Sequence, residues 1–348
     1  MASYDLIVVG GGPAGATLAR LAPRHLRVLL LHSPPPMGKP CGGLLAPDAQ
    51  KALARFQLTL PKEILVDPQI FSVRTIDLVS GRQRHYQRMY INVDRQRFDR
   101  WLLGMVGGSV EVLSARCRAV ERTGEGFQVT FGPENAPQRA EGRLIVGADG
   151  AGSLVRRSLF GRANTRRYTA IQQWFPLIDA NPFYSCIFDA ETSPCCSWSI
   201  CKDDHFIFGG AFPAKGCREA FEAQKRRLEA YLGLSFGQSE RTEACQVLRP
   251  NRMSSFCCGG GGAFLLGEAA GLISPSSLEG ISSALISGQA LAKSLSAPDP
   301  LRTYRALTAK LRWKLLLKNL KCPFMYQPFL RDLVLRSGLT SIDVEEER

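Results

Sequence analysis

The start of the chain changes from a strand pattern to a helical pattern and back. Residues 4–9 are apolar except for Asp5, glycines cluster at 10–15, a helical pattern extends to Leu21, and a second apolar run covers 28–31 between Arg27 and His32. Strand, turn, helix and strand in this order predict one βαβ unit. Gly10, Gly12 and Gly15 follow the G-x-G-x-x-G spacing, which in this context is typical of dinucleotide binding. The first glycine permits the tight turn, the second lets a pyrophosphate approach, and the third lets helix and strand pack closely.

Hydrophobic spacing also predicts the elements between 47 and 165. Residues 71–90 alternate as strands do and are broken at Ser80 and Gly81, which predicts a hairpin. Apolar side chains after Arg95 recur at helical spacing and predict a helix. We further predict a helix over 47–56 and strands over 110–122, 127–131 and 143–147. The last strand leads to Asp149 and Gly150, at the carboxyl edge of a parallel sheet, where ligands bind.

The second half of the chain begins with strand patterns and ends with helical ones. Antiparallel strands are predicted over 168–176, 183–190 and 196–212, with Lys202, Asp203 and Asp204 as the turn of the last hairpin. An amphipathic helix over 216–232 and a returning strand over 244–248 follow. The remaining predictions are helices over 280–295, 299–322 and 326–337, and disorder over 343–348.

Composition is that of a globular chain, with 45% hydrophobic and 22% charged residues over 348 positions. Lys and Arg exceed Asp and Glu by 44 − 31 = 13, a balance that suits nucleic acid, an anionic membrane or an acidic ligand. The basic residues are scattered except near the C-terminus and no nucleic-acid-binding motif occurs, so we expect no nucleic-acid partner. The basic amphipathic pattern over 299–322 leaves two interpretations open: a peripheral membrane contact, or a helix packed on its own protein with its lysines outward.

The cysteines and the apolar segments bear on the compartment. Eleven cysteines lack C-x-x-C spacing, and no apolar segment has the length of a membrane span or the flanks of a signal peptide. We therefore expect reduced thiols and a cytoplasmic protein, with peripheral membrane association left open. Cys195, Cys196 and Cys201 could surround an iron–sulfur cluster, but buried small side chains suit them better. We predict no metal site.

Three motifs together resemble the FAD-dependent oxidoreductases of the hydroxylase superfamily, and within it the geranylgeranyl reductase family. They are the glycine turn at 10–15, the pair Asp149 and Gly150, and the segment 263–281, which resembles the family's Gly-Asp-Ala-Ala-Gly and Gly-Glu-Gly-Ile. The Lys-Pro-Cys-Gly-Gly loop at 39–43 also resembles that family, which places such a loop beside the flavin ring. The chain departs from the pattern twice, since Glu268 stands where Asp is expected and Leu278 replaces the first Gly.

The resemblance implies an α/β fold in which a Rossmann-like FAD-binding domain is interleaved with an antiparallel-sheet substrate domain and is followed by a helical C-terminus. The predicted FAD-binding domain is discontinuous and covers 1–70, 92–165 and 250–298. The predicted substrate or cap domain covers 71–91 and 166–249, and the C-terminal helices cover 299–348.

The resemblance also implies FAD as the cofactor. The family usually ends its second strand in Glu or Asp, which binds the adenosine ribose; His32 stands here and can bond a hydroxyl without a fixed charge. Glu268 would accept from a ribitol or ribose hydroxyl, and the helix at Gly280 would point its positive end at the flavin. The expected cofactor-binding residues are Gly10, Gly12, Pro13, Ala14, Gly15, His32, Cys41, Gly42, Gly43, Arg95, Asp149, Gly150, Gly267, Glu268, Gly280 and Ile281.

Cys41 and Trp198 are the candidate catalytic residues. Cys41 is expected within contact distance of the flavin ring, although a packing role stays open. Trp198 lies in the segment 196–201, which resembles the family's aromatic-x-Trp-x-Phe-Pro segment and, more weakly, the Trp-x-Trp-x-Ile-Pro segment of flavin-dependent halogenases. Cys196 and Cys201 replace the flanking aromatic and Pro. A core position for Trp198 on the sheet face also stays open.

The implied activity is reduction of carbon–carbon double bonds in a hydrophobic, isoprenoid-like substrate by flavin hydride transfer. No second dinucleotide fingerprint occurs, so the electron donor is open between NAD(P)H and a reduced protein carrier. Two alternatives stay open: a flavin-dependent monooxygenase that hydroxylates an aromatic substrate, and a non-catalytic FAD-binding redox module. No His or carboxylate stands out in the sequence as an acid or base.

Overall fold

The computed structural model describes residues 2–33, 39–162, 164–178 and 181–344. The proline run at 34–36 and the residues 345–348 of the predicted disordered end lie outside the described residues. Backbone contacts divide the chain into two compact units. The first unit comprises Met1–Pro35, Phe98–Arg166 and Leu248–Leu317, and the second comprises Pro36–Arg97, Arg167–Val247 and Lys318–Arg348.

The strands fall into two sheets, one in each unit. In chain order the strands are β1 Ala2–Val9, β2 Val28–His32, β3 Leu44–Leu45, β4 Ile70–Asp77, β5 Arg82–Asn92, β6 Val110–Ser114, β7 Cys117–Arg122, β8 Phe127–Phe131, β9 Gln138–Gly147, β10 Arg166–Pro176, β11 Tyr184–Phe188, β12 Ser197–Lys202, β13 His205–Pro213, β14 Arg241–Arg249, β15 Gly259–Gly260 and β16 Ala263–Leu265.

The helices agree with the predictions over 47–56, 216–232, 280–295 and 326–337 to within two residues. In chain order they are α1 Pro13–Leu21, α2 Pro47–Arg55, α3 Arg95–Gly104, α4 Leu154–Phe160, α5 Cys217–Leu232, α6 Ile281–Ser294, α7 Pro300–Leu307, α8 Ala309–Leu317, α9 Cys322–Tyr326 and α10 Pro328–Ser337. Within the described ranges, none of these helices has the length and apolar character needed to cross a bilayer.

The sheet of the first unit is built around β1, which is covered on both faces. Its strand order is β15-β16-β9-β1-β2-β6, and β8 pairs with β9 and β7 beside this path. β1 runs parallel to both β2 and β9. Leu6 and Val8 pack in one hydrophobic cluster, and Ile7 and Val9 pack in another. Because a strand covered on both faces buries every side chain, the hydrophobic run at 6–9 is unbroken.

The sheet of the second unit has the strand order β14-β10-β13-β12-β11-β4-β5-β3. The pairs β10–β13, β12–β13, β11–β12 and β4–β5 are antiparallel, whereas β11 runs parallel to β4. The predicted hairpin at 71–90 is therefore confirmed and joins this sheet. Phe175, Phe208 and Phe221, each at most 1% exposed, bring β10, β13 and α5 into one core.

The two sheets confirm the predicted α/β architecture, with a Rossmann-like parallel sheet, a largely antiparallel sheet and a helical C-terminus. In the division by backbone contacts, residues 39–70 and 92–97, which the sequence assigned to the FAD-binding domain, fall in the second unit. The pairing of β3 with β5 contributes to this. Backbone packing does not define which residues hold a cofactor, so the assignment of these residues to an FAD-binding domain stays a prediction.

The predicted helix over 299–322 is interrupted, and its apolar stripe faces inward. It forms α7, α8 and a short 3₁₀ segment. Leu311 and Leu315 pack in a core cluster of the first unit. Tyr304 is fully buried, and its hydroxyl donates to the carbonyl of Leu265 at 2.9 Å. This part of the tail therefore packs on its own protein.

A buried ion pair in the second unit holds α10 against the β4–β5 hairpin. Arg331 Nη2 lies 3.0 Å from Asp77 Oδ1, and the two side chains are 4% and 1% exposed. The Arg331 guanidinium also lies 5.1 Å from the centre of the Phe188 ring. Removing one partner of such a pair leaves the other charge buried and uncompensated, which is more costly than replacing both.

We expect Arg331→Met to lower the free energy of unfolding by about 3–5 kcal/mol, because the Asp77 carboxylate stays buried without its cation. The matched control is Arg82→Met. The Arg82–Asp332 pair is 45% and 21% exposed, so solvent screens it and its loss should cost less than about 1 kcal/mol. Urea unfolding measures the free energy of unfolding that each variant loses. Equal losses would contradict the larger contribution that we assign to the buried Arg331–Asp77 pair.

Candidate functional site

The glycine turn of the first unit lies directly against the Asp149–Gly150 motif. Gly10 has φ +110°, and a Cβ on it would lie 2.6 Å from the carbonyl carbon of Ala148 and 2.8 Å from the Asp149 nitrogen. A Cβ on Gly15 would overlap the carbonyl oxygen of Gly10. Both glycines are therefore required by close packing, in the roles that the sequence predicted for a dinucleotide turn.

Gly12 differs from the other glycines of the turn, because its missing side chain leaves open space. A Cβ there would meet no atom within 4 Å. Gly12 is also the N-cap of α1, Pro13 occupies the first turn, and no side chain caps the helix. The first N–H groups of a helix have no partner within the helix, and the helix dipole favours an anion there. The turn thus has the open approach and the donors that fit a pyrophosphate.

The third motif packs against the first one. Gly267 donates its N–H to Ser287 Oγ of α6 at 3.0 Å, and a Cβ on Gly267 would lie 3.3 Å from the Ala14 Cβ. α6 also approaches α1 closely, since a Cβ on Gly288 would lie 2.5 Å from the Ala14 carbonyl oxygen. The three motifs are far apart in sequence, and the first unit brings them together.

Leu278 keeps a backbone shape that suits glycine. Its φ is +56°, in the left-handed region, where a non-glycine residue is strained by roughly 1–2 kcal/mol. This is the position at which the resembling family has Gly. The loop leading to Gly280 therefore has a backbone conformation that suits glycine, although leucine occupies the position. Gly280 is the N-cap of α6, Ile281 follows as its first residue, and no side chain caps this helix either.

Two carboxylates of the first unit, those of Asp149 and Glu268, accept hydrogen bonds from backbone N–H groups, whereas the His32 ring lies beside the glycine turn. The Asp149 carboxylate accepts from the Leu154 N–H at the start of α4 at 2.6 Å, and burial raises its pKa. Glu268 Oε1 accepts from the Leu248 N–H at 2.9 Å. His32 lies beside the glycine turn, because a Cβ on Gly11 would be 2.6 Å from the His32 Cβ. Burial lowers the pKa of His32, so its ring is neutral at pH 7 and can accept from a hydroxyl.

In the second unit, the Cys41–Gly43 loop lies on one face of β12. A Cβ on Gly42 would be 2.8 Å from Ile200 Cδ1 and 3.8 Å from Trp198 Cδ1, and a Cβ on Gly43 would be 2.8 Å from Lys202 Nζ. These three β12 residues are two apart in sequence and so share one face of the strand. The loop and Trp198, predicted separately, are thus neighbours.

Cys41 is also held by a cation of the second unit. Arg95 Nη1 donates to Cys41 Sγ at 3.4 Å, and the Gly43 N–H approaches the same sulfur at 3.5 Å. Arg95 begins α3, as the resemblance required. The predicted residues Cys41, Gly42, Gly43, Arg95 and Trp198 therefore form one constellation in this unit.

Lys202 was missed as a site residue, and its assignment to a turn was wrong. Lys202 is the last residue of β12 and pairs with His205, so Asp203 and Asp204 alone form the turn. Its side chain is 4% exposed. The period-two spacing from Trp198 through Ile200 could have placed it on the loop-facing side of the strand. A lysine beside two aspartates is usually exposed to solvent. For that reason the period-two spacing was not extended from Ile200 to Lys202.

The Lys202 ammonium is held by neutral acceptors. Nζ donates to Asn92 Oδ1 at 2.5 Å and to the Val93 carbonyl at 2.8 Å. Burial lowers the pKa of Lys202 from 10.5 to about 8, while the nearby Cys41 and Asp94 act in the opposite direction. A buried cation bonded to neutral oxygens is poorly compensated, so it attracts negative charge that develops nearby.

A small polar cavity in the second unit borders this constellation. Its charged lining residues are Lys39, Asp94, Arg95, Lys202, Arg241 and Glu243, together with Cys41 and Trp174. A hydrogen-bonded chain reaches it from the sheet: Trp198 Nε1 donates to Gln172 Oε1 at 2.9 Å, and Gln172 Nε2 donates to Glu243 Oε2 at 3.0 Å. Burial raises the pKa of Glu243 and Arg241 opposes this. Glu243 is therefore a buried carboxyl that the sequence did not single out.

An apolar groove of about 460 Å³ also lies in the second unit. Leu53, Leu58, Leu60, Leu65 and Ile91 supply most of its surface. The lining residue Ile91 is followed in the chain by Asn92 and Val93, the residues that hold the Lys202 ammonium. No group of three or more His, Cys, Asp or Glu able to hold a metal occurs in the described part of the chain.

The fold has clear relatives among solved structures of flavoproteins. A geranylgeranyl bacteriochlorophyll reductase-like protein of Thermoplasma acidophilum superposes with a TM-score of 0.80 at 20% identity, over 96% of this chain and 91% of that one. PqsL of Pseudomonas aeruginosa, a probable FAD-dependent monooxygenase, superposes with a TM-score of 0.70 at 19% identity, over 96% of this chain and 100% of that one. At these identities the likeness shows a common flavoprotein fold.

Sequence comparison identifies a much nearer relative. Protein CbrA of Escherichia coli O6:H1 is 45% identical over 98% of this chain and 95% of its own length. The chain therefore belongs to the CbrA family. No protein-family model matches it.

Gly12 and Gly15 of the turn give a matched pair of variants. Gly12→Ala adds a methyl group in open space at a φ of −71°, so stability should change by less than about 1 kcal/mol while cofactor affinity falls at least about tenfold. Gly15→Ala should instead destabilise the fold by about 1–3 kcal/mol, because its Cβ overlaps backbone. Urea unfolding without cofactor and flavin titration separate these effects. Full flavin affinity in Gly12→Ala would contradict the assignment of the turn.

Lys202 predicts a pH-dependent term in stability. Its folded pKa of about 8 lies below the ordinary 10.5, so between these values the unfolded chain binds more protons than the folded one. As the pH rises from about 8 to 10.5, the free energy of unfolding of the wild type should therefore increase relative to that of Lys202→Met by up to ~1.4 kcal/mol per pH unit. Urea unfolding across this pH range measures the gain, with the exposed Lys51→Met as control. Parallel pH profiles for wild type and Lys202→Met would mean that Lys202 titrates normally.

Proposed function

We propose that this protein is an FAD-dependent oxidoreductase that reduces carbon–carbon double bonds in a hydrophobic, isoprenoid-like substrate. The observation that carries the proposal is the packing of Gly42 and Gly43 on the Trp198 and Lys202 face of β12. The Cys41 loop and the Trp198 segment each resemble a segment of the geranylgeranyl reductase family, although Cys196 and Cys201 depart from the family pattern. Their contact argues that both serve one site rather than two unrelated packing roles.

The first unit supports FAD as the cofactor. Gly12 and the uncapped start of α1 suit the pyrophosphate, and His32 suits a ribose hydroxyl. Gly150 has no atom within 4 Å of an added Cβ, and the start of α6 at Gly280 is also uncapped. Because the carboxylates of Asp149 and Glu268 bind backbone N–H groups, we assign their cofactor contacts to the remaining carboxylate lone pairs and to the adjacent backbone.

The protein's own groups would act through charge and proton placement. FAD, when bound, supplies hydride transfer. Lys202 stabilises negative charge that develops beside the Cys41 loop, in a site where few waters compete. Glu243 holds a proton closer to neutral pH than an ordinary glutamate does, because burial raises its pKa. The Trp198–Gln172–Glu243 chain fixes the orientation of that carboxyl.

The apolar groove supports a hydrophobic substrate. Its volume of about 460 Å³ lies in the range of small-molecule sites. Gln50 and Gln69 at its border donate to backbone carbonyls of Leu45 and Val66, so their amides are engaged and the groove remains apolar. An isoprenoid chain lying there would gain roughly 25 cal/mol per Å² of buried apolar surface. The electron donor is NAD(P)H or a reduced protein carrier.

A flavin-dependent monooxygenase is the second candidate. The polar cavity favours it, because six charged side chains around Cys41 and Trp174 suit a polar aromatic better than an isoprenoid tail. The fold likeness to a probable FAD-dependent monooxygenase agrees with this candidate. The polar cavity has a volume of only about 50 Å³, whereas the apolar groove has about 460 Å³. Because small-molecule sites usually measure roughly 300–1,000 Å³, we favour the hydrophobic substrate and the reductase.

We expect the photoreduced protein, without oxygen, to be reoxidised when polyprenyl substrates are added. Cys41→Ser should slow this step at least about tenfold with normal FAD content, because Cys41 contacts the reacting groups. The matched control is Cys217→Ser, at the start of α5, which should react as the wild type does. Anaerobic stopped-flow absorbance measures both.

The outcomes of that experiment separate the candidates. A second arm mixes the photoreduced protein with air and an aromatic substrate; reoxidation that strictly requires oxygen and yields a hydroxylated aromatic would establish the monooxygenase. A protein that holds FAD but is inert under both conditions would be a non-catalytic redox module. A colourless protein that cannot be reconstituted would rule out the cofactor itself.

A further inference from the structure

Two cysteines of the second unit meet beside Trp198. Cys186 lies in β11 and is directly opposite Trp198 in the β11–β12 ladder, so their side chains share one face of the sheet. Cys196 comes two residues before Trp198, and β12 begins at the next residue. The Cys186 thiol is hydrogen-bonded to the Cys196 thiol. Cys196 stands where the resembling family has an aromatic residue, so this departure from the family pattern brings a second thiol into contact with the first.

The pair has the properties that thiol oxidation requires. Neither Cys186 nor Cys196 takes part in a disulfide. Cys196 is 3% exposed, whereas Cys186 is only partly buried, so a small molecule in solvent can approach the pair from the Cys186 side. Among the described residues, no group of three or more His, Cys, Asp or Glu could hold a metal. The chemistry that this pair offers is therefore that of two adjacent thiols.

The two sulfurs are not equivalent. The hydrogen bond with Cys196 and burial raise the pKa of the Cys186 thiol, while Tyr184 and Arg88 act in the opposite direction. A thiol that keeps its proton can donate it to a neighbouring sulfur, so Cys186 is the donor and Cys196 is the sulfur that becomes the thiolate. In redox-sensing pairs one thiolate reacts with the oxidant, and a neighbouring thiol then resolves the product into a disulfide.

We propose that Cys186 and Cys196 form a reversible disulfide when the protein meets hydrogen peroxide. The Cys196 thiolate attacks one peroxide oxygen, so that an S–O bond forms, the O–O bond breaks, and the leaving hydroxide takes a proton from solvent. The Cys186 sulfur then attacks the Cys196 sulfur, the S–S bond forms, the S–O bond breaks, and the second hydroxide leaves with the Cys186 proton as water. Two thiols and one peroxide thus give one disulfide and two waters, with both sulfurs oxidised and both oxygens reduced.

The geometry of the pair favours a disulfide that is easily reduced. The two thiols are already in contact, so bonding requires only that the sulfurs approach to about 2.05 Å. Because Cys186 is opposite Trp198, Cys196 is its diagonal neighbour, and diagonal neighbours across a ladder are farther apart than direct ones. A bond that closes this offset is strained, and strained disulfides are reduced more readily than structural ones.

Peptide mapping of the full-length protein tests this. The protein is treated with hydrogen peroxide, its remaining thiols are blocked with iodoacetamide, and it is cut with trypsin. Trypsin leaves 168–202 as one peptide with four cysteines, because no Lys or Arg lies between Arg167 and Lys202. Further cleavage after Glu191 separates Cys186 from the other three. We expect these two fragments to stay joined after peroxide and to separate on adding dithiothreitol, and we expect two fewer blocked thiols than the eleven of the sequence.

Variants identify the two partners. Cys186→Ala and Cys196→Ala should each abolish the link between the fragments. The matched control is Cys195→Ala, since Cys195 is adjacent to Cys196 and 1% exposed, and this variant should keep the link. Thermal unfolding under reducing conditions shows whether each variant is folded.

Several results would overturn the proposal. They are eleven blocked thiols in peroxide-treated wild type, oxidation of Cys196 to a sulfinic acid without a link, a link that persists in Cys196→Ala, and loss of the link in folded Cys195→Ala. The wild-type mapping stands even where a variant fails to fold. It uses protein without substrate, so it does not depend on the proposed oxidoreductase activity.

Discussion

The second unit depends on one buried amide, Asn92, and on the ammonium that it holds. Asn92 is 0% exposed. Its Nδ2 donates to the carbonyls of Pro68 and Cys201 at 3.0 and 3.1 Å, and its Oδ1 accepts from Lys202 at 2.5 Å. The next residue, Val93, donates its N–H to Gly43. One fully bonded amide thus joins the cis Asp67–Pro68 segment, β12 and the Cys41–Gly43 loop, and it presents a charge beside that loop. A satisfied buried network of this kind specifies one arrangement, whereas a partly satisfied one is costly.

The first unit meets a different constraint, which is close backbone approach. Gly10, Gly15 and Gly267 are required by contacts with neighbouring backbone or helices, and Leu278 keeps a left-handed conformation at a steric cost. At Leu278 the backbone thus has a shape that suits glycine although the residue is leucine. His32 is a neutral ring at the position where the resembling family has an acid.

The sequence predicted the fold well because its main signals are local. The βαβ turn, the unbroken β1 run and the helical spacing of α5 depend on periodicity alone, and each was confirmed. The site was predicted in part, since the loop at Cys41 and Trp198 were found by motif. Lys202 and Glu243 were missed because burial of a charged residue depends on distant partners, Asn92 and Gln172, that no local pattern reveals. The burial of Arg331 in α10 was hidden for the same reason, because Asp77 and Arg331 are 254 positions apart.

We propose that the buried Lys202 charge acts on the bound flavin. The most direct measurement is the midpoint potential of bound FAD in the wild type and in Lys202→Met, below and above the Lys202 pKa of about 8. A nearby cation stabilises the negative charge gained on reduction. The wild-type potential should therefore be the higher one below that pKa, and the difference should shrink above it, where the ammonium is lost. Equal potentials in the two proteins below the pKa, with both folded and loaded with FAD, would contradict the account.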